Sequence, residues 1–199
     1  MSDMENDLLT RVRAADEQAS AQLYAEHYPA VMRLCLALLG DVADAEEVAQ
    51  DSFVYALRNI HRYDPKRAAF RTWLFLIAVS RCRNKRRRRV FDFLPLTAAA
   101  LSQAATNREV EQALAARGLR IQLWQALQDL PVDLREAVAL RYLGGLRFRE
   151  IGDVAGCNDK TAQSRVRLGV ERLRRTLTAD EAFGEAGAEI DGSIWEAAG

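Results

Sequence analysis

Residues 71–89 read RTWLFLIAVSRCRNKRRRR. Trp73 to Val79 is apolar without a break, and Lys85 to Arg89 is cationic without a break. Phe70, Trp73, Leu74, Ile77 and Ala78 fall at helical spacing and give the segment one apolar side. After Val79 the stripe stops while helix-forming residues continue. The spacing therefore predicts one helix, anchored in a core by its first half and projecting its basic end. Such an end calls for an anionic partner outside the protein.

The charge elsewhere is segregated too. The 199-residue chain carries 28 Lys+Arg and 28 Asp+Glu, so its net charge names no partner. Residues 71–90 nevertheless hold eight cations and no acid, whereas residues 41–51 hold five acids and no base. A neutral chain divided in this way presents faces for different partners.

Upstream, Leu23, His27, Val31, Leu34 and Leu38 mark a helix between Asp16 and Gly40, which Pro29 is expected to kink or divide. Gly40 suits its C-terminus, and Asp44 is placed to cap the next helix. There Ala45, Val48, Ala49, Phe53, Ala56, Leu57 and Ile60 form the apolar stripe, leaving Glu47, Gln50, Asp51 and Val54 toward other surroundings. Residues 61–69, HRYDPKRAA, read as a loop. From Val90 to Gly118, a proline and an alanine-rich run suggest a flexible linker with a short helix over 108–116.

A second module begins near Leu119. One helix carries Leu123, Trp124, Leu127 and Leu130 and stops at Pro131; another runs from Val132 to the Gly144-Gly145 pair. Then Phe148, Ile151, Val154 and Ala155 mark a short helix, and Gly156 allows the left-handed residue that ends it. Asn158 can cap a longer helix that buries Ala162, Val166, Val170, Leu173 and Leu177. Short helix, glycine turn and longer helix make a helix-turn-helix. Lys160, Thr161, Gln163, Ser164 and Arg167 are left at its tip for base edges, and Arg165, Arg172, Arg174 and Arg175 suit phosphates. The fold class is all-α: two small helical domains joined by a flexible linker, at 1–90, 91–118 and 119–178, with an acidic tail at 179–199.

The stretches LYAEHYPAVMRLCLALLGDVADAEEVAQDSF, FRTWLFLIAVSRCRNKRRR, LPVDLREAVALRYLGGLRFREIGDVAG and KTAQSRVRLGVERLRR together resemble the extracytoplasmic-function sigma factors of the sigma-70 family. The resemblance implies a bacterial initiation factor that binds core RNA polymerase at its clamp and flap regions and directs it to promoters. It implies that Glu47, Gln50, Asp51 and Val54 meet the polymerase and that the helix-turn-helix reads the −35 element. It also implies that the −10 element is recognised and opened by Arg62, Tyr63, Lys66, Arg71, Ser80, Arg81, Asn84, Arg87 and Arg88. The loop before the basic helix would take a flipped base, with Tyr63 either stacking on it or plugging the core. An anti-sigma factor is a further expected partner.

The chain departs from the family's pattern in places. Trp73-Leu74 stands where primary-type factors carry two adjacent aromatics. Ser80 and Asn84 stand where Asn and Asp are frequent, Lys160 where glycine is, and Gln163 where a basic residue is. These shift the expected promoter preference.

The main alternative is a stand-alone helix-turn-helix repressor or activator, for which the first module would be superfluous. An enzyme is not expected, since no Walker loop, nucleophile elbow or dinucleotide glycine motif occurs. Cys35, Cys82 and Cys157 form no CxxC pair, and His27 and His61 are isolated, so neither metal nor cofactor is expected. The acidic amino terminus lacks a secretory apolar segment, and the longest apolar run cannot span a bilayer. A cytoplasmic protein without membrane insertion follows. The tail's acidity and its Phe183, Ile190, Ile194 and Trp195 suggest that it either stays unfolded or folds back as a restraint. On the second reading, truncation after Thr178 should raise promoter-dependent transcription in vitro, and unchanged output would remove the restraint.

Overall fold

The computed structural model describes residues 3–91 and 122–179, and among these every regular element is a helix. Most of the linker and the acidic tail, including the suggested helix over 108–116, lie outside the described residues. The first module consists of α1 (Asp3–Arg13), α2 (Glu17–Leu39), α3 (Val42–Arg58), a 3-10 turn at Ile60–Arg62 and α4 (Phe70–Phe91). The second consists of α5 (122–129), α6 (Val132–Tyr142), α7 (Phe148–Ala155) and α8 (Asp159–Ala179).

Local chemistry sets the helix ends. Asp16 accepts from the Ala19 amide at 3.0 Å and starts α2. Gly40, left-handed at φ 71°, ends it by donating to the Leu36 carbonyl at 2.8 Å. The cap of α3 is Asp41, not Asp44. Asp41 has the extended backbone of a cap and accepts from the Asp44 amide at 2.9 Å, which places Asp44 inside the first turn. Pro29 sits within α2 without dividing it. The one N–H it lacks is outweighed by the buried stripe Leu23, His27, Val31, Leu34, Cys35 and Leu38.

The first core packs α2, α3 and α4 together around Leu23, Leu34, Leu38, Phe53, Phe70 and Leu74, each at most 1 % exposed. Cys35 of α2 and Cys82 of α4 lie side by side in it. The neighbouring Cys82 thiol and burial both push the Cys35 thiol well up, so neither cysteine is a surface residue. The second core gathers Leu127, Leu140, Ile151 and Leu173.

The two modules also pack on each other, α2 against α6 and α4 against α7. Here the second module completes the end of α2. Gln128 donates to the Ala37 carbonyl at 2.8 Å, and Arg135 reaches the Leu38 carbonyl at 3.5 Å. Carbonyls in the last turn of a helix have no partner within it, so these side chains serve as a cap in trans. A Cβ on Gly40 would stand 2.8 Å from Gln128 Oε1, the movable end of a side chain, so the glycine is required chiefly by its φ.

In the helix-turn-helix, Gly156 takes the left-handed conformation at φ 72°, and Asn158 accepts from the Thr161 amide at 2.8 Å, as the sequence predicts. The turn makes a further demand on Gly152 of α7, where a Cβ would lie 2.6 Å from the backbone oxygen of Cys157. Backbone in a tight turn cannot yield as a side chain can. Gly152→Ala should therefore destabilise the protein by about 1–3 kcal/mol in denaturant unfolding, despite alanine's better helix propensity.

Candidate nucleic-acid interface

Helix α4 carries three faces. Phe70, Leu74, Ala78 and Cys82 point into the first core. Thr72, Phe75 and Arg83 point to the second module. The Thr72 hydroxyl donates to Glu150 at 2.9 Å, and a Cβ on Gly144 would lie 2.9 Å from the Phe75 ring. Arg83 forms a two-pronged ion pair with Glu136 of α6, a carboxylate only 3 % exposed. The third face is open: Leu76, Ser80, Asn84, Arg87 and Arg88 are exposed, with Arg87 donating to Asn84 at 3.3 Å.

The basic end does not simply project from the core. Lys85 is clasped by α3, its ammonium 2.6 Å from Glu47 and 3.2 Å from Asp44. The bond to Glu47, reinforced by Asp44, holds Lys85 above the usual lysine range. Arg81 stands 3.5 Å from Asp51 and 5.1 Å from the centre of the Tyr55 ring. Beyond Arg86, whose Nη1 is buried, the exposed cations Arg87 and Arg88 extend outward.

Arg71 is half-buried between the modules. It lies over Phe75 at 5.4 Å and 3.5 Å from the Leu143 carbonyl, and burial and neighbouring Arg33 both lower its pKa. In this conformation it is only partly open to solvent.

Ahead of α4, Arg62, Asp64, Lys66 and Arg67 are exposed, but Tyr63 is buried. Its ring meets Phe70 edge-on at 5.5 Å and Trp73 at 5.4 Å, and its hydroxyl donates to the Ala68 carbonyl at 3.1 Å. In this conformation Tyr63 closes the core beneath the loop. Trp73 packs with it, half-buried.

On α3, Glu47, Gln50, Asp51 and Val54 share one exposed face, Val54 at 47 %. On α8, Lys160, Gln163, Ser164 and Arg167 are exposed at the tip, Thr161 is half-buried, and Arg165 is turned toward Asp133 at 3.4 Å. The first four stand free for base edges in a groove. Arg172, Arg174 and Arg175 are exposed further along, with Arg175 bridging Glu171 one turn earlier.

An exposed acidic face, an open polar stripe on a basic helix and a free recognition helix thus occur in one chain. Residues 23–91 match sigma-70 region 2, and residues 120–173 match sigma-70 region 4. The RNA polymerase sigma factor CarQ of Myxococcus xanthus is 32% identical over 85% of this chain and 95% of that protein. The chain belongs to the extracytoplasmic-function group of the sigma-70 family. The sigma factor SigW of Bacillus subtilis is 28% identical over 85% of this chain and 94% of its own. In three dimensions this sigma factor shares its fold with CnrH, solved with the cytosolic domain of CnrY. The TM-score is 0.66 at 24% identity, covering 90% of this chain and all of that one. RpoE of Bartonella quintana, solved with the anti-sigma factor NepR, matches with a TM-score of 0.64 at 22% identity, over 81% of this chain and 98% of that one. Two matched segments in this order are not what a stand-alone helix-turn-helix regulator carries.

The sequence reading of this sigma factor gave α4 a single apolar side and missed the second stripe, Thr72, Phe75 and Val79. Its spacing of three and four was the available signal, since a helix with two stripes has two packing partners. Glu136 had no such signal, because one acid in an apolar helix face declares a partner only when the partner is known. Removing Arg83, whose own side chain is 43 % exposed, leaves the buried Glu136 carboxylate without its ion-pair partner. Arg83→Ala should therefore expand the protein in small-angle scattering, and adding Glu136→Leu should return most of the lost compactness.

Proposed function

We propose that this chain is a transcription initiation factor working in the cytoplasm, with core RNA polymerase and promoter DNA as its partners and no catalysis of its own. The observation that carries this reading is the separation of three exposed surfaces on one frame: acidic α3, the open stripe of α4 and the tip of α8. Glu47, Gln50, Asp51 and Val54 are assigned to the polymerase. Ser80, Arg81, Asn84, Arg87 and Arg88, with Arg62, Lys66 and Arg71, are assigned to the −10 element and its opening. Lys160, Thr161, Gln163, Ser164, Arg165 and Arg167 are assigned to the −35 element. Tyr63 contributes by shaping the loop that takes the flipped base rather than by stacking. Among the described residues no helix is long and apolar enough to cross a membrane. The partner-bound states of CnrH and RpoE support an anti-sigma partner for this chain as well.

The packed modules must part for this work. Each helical turn of duplex between the two elements adds about 34 Å to their separation. The 30 residues at 92–121 can reach at most about 100 Å when extended. Opening releases Arg71 and Arg83 toward DNA and gives up the trans cap on α2.

In vitro transcription with core polymerase on a genomic promoter library tests the assignment. Start sites should be enriched only when this chain is present, and an unaltered start-site profile would overturn the reading. Gln163→Ala should relax preference at one −35 position by about 1–3 kcal/mol. Arg87→Ala with Arg88→Ala should weaken binding to all promoters alike and flatten its salt dependence by about 0.9 log units per lost phosphate contact.

A further inference from the structure

Helix α1 stands ahead of both matched segments, the first of which begins at residue 23. The assignments above give it no part, yet it is docked and not idle. Leu8, Leu9 and Val12 are 5 %, 2 % and 5 % exposed and join the first core. The turn into α2 is fixed by the Arg11–Asp16 ion pair at 2.8 Å and by Ala15, left-handed at φ 61°. Asp16 meanwhile caps α2, so the end of α1 is held in register with the module.

That register places Arg13 beside the loop before α4. Its Nη2 donates to the Tyr63 carbonyl at 2.8 Å, and its guanidinium lies 6.0 Å from the centre of the Tyr63 ring. Tyr63 is the residue at which the 3-10 turn ends and the loop begins. The loop is therefore gripped at its entrance by Arg13 and at its exit by the Tyr63 hydroxyl on Ala68. Between these points, Asp64 closes a local turn, accepting from the Lys66 amide on its side chain at 2.9 Å and from the Arg67 amide on its carbonyl at 3.1 Å. The result is a frame with polar edges turned outward, formed before any base arrives. Preorganisation of this kind spares the complex the cost of ordering the loop during opening.

We propose that Arg13 is a positioning residue for promoter opening. By holding the Tyr63 carbonyl it fixes the loop in the shape that receives the unstacked base. This rests on the base-capture reading of the loop. This guanidinium–carbonyl bond across 50 residues is charge-assisted, with an exposed donor and a carbonyl on buried Tyr63, the class whose loss shifts a local equilibrium up to about tenfold.

The test uses the full chain with core polymerase on duplex promoter and on the same promoter with a pre-opened −10 bubble. Strand opening is read by 2-aminopurine fluorescence in the nontemplate strand. Arg13→Ala should reduce opening of the duplex about tenfold and have a smaller effect on the bubble, with core-polymerase affinity unchanged. Arg13→Lys, which keeps one donor, should recover part of the loss. Lys66→Ala with Arg67→Ala serves as the control for the loop itself. If that variant is impaired and Arg13→Ala is not, Arg13 has no positioning role. If Arg13→Ala loses core affinity in step with opening, it is a structural brace and the proposal falls. If the loop variant opens promoters normally, base capture fails and takes the proposal with it.

Discussion

Helix α4 has no spare side. Its apolar face closes the core of the first module, a second face meets α6 and α7, and only the row from Leu76 to Arg88 is left open. Close packing makes this a hard constraint, because a rotation of α4 to improve one contact would spoil the others. The loop before it, the acidic helix beside it and the second module across from it all take their positions from this one element. Most of the apolar run from Trp73 to Val79 follows directly, Leu76 on the open row being the exception. A helix with one buried face can alternate with polar residues, but one packed on two sides cannot.

Electrostatics divides the cations of α4 into two groups. Arg81 pairs with Asp51 where solvent screens it, whereas Lys85 pairs with exposed Glu47 and with Asp44, which is only 15 % exposed. The exposed Arg81–Asp51 pair contributes at most about 1 kcal/mol. Arg83 differs, because its partner Glu136 is almost wholly removed from water and cannot be left alone. Glu47 and Asp51, which hold Lys85 and Arg81, lie on the face proposed to meet the polymerase, so docking there would draw on these ion pairs. The Arg83–Glu136 pair instead joins α4 to α6 and helps to hold the modules together.

Much of the fold was legible because its signals are local. The left-handed glycines at 40 and 156, the Asn158 cap and the stripe of α8 are each set within a few residues of chain. The open tip of α8 and the exposed face of α3 followed from what those stripes left over. Asp41 was passed over for Asp44 because two aspartates three residues apart offer the same cap, and only backbone conformation decides between them. What stayed hidden depends on distant pairing. The Gln128 and Arg135 caps on α2, the Thr72–Glu150 bond and the Arg13 grip on Tyr63 join residues 50 to 97 positions apart. Periodicity identifies a buried face but not the element that covers it.

The three thiols carry a practical consequence. Cys35 and Cys82 are sealed together in the first core, where a reagent cannot reach them, and the neighbouring thiol and burial disfavour the ionised form of Cys35. Cys157 is partly open, in the turn between the two arms of the helix-turn-helix and one residue before Asn158. A maleimide dye added to the folded native chain would therefore attach at Cys157 ahead of the other two, beside the tip of α8. The native sequence thus comes supplied with a preferred optical handle in the turn of its helix-turn-helix.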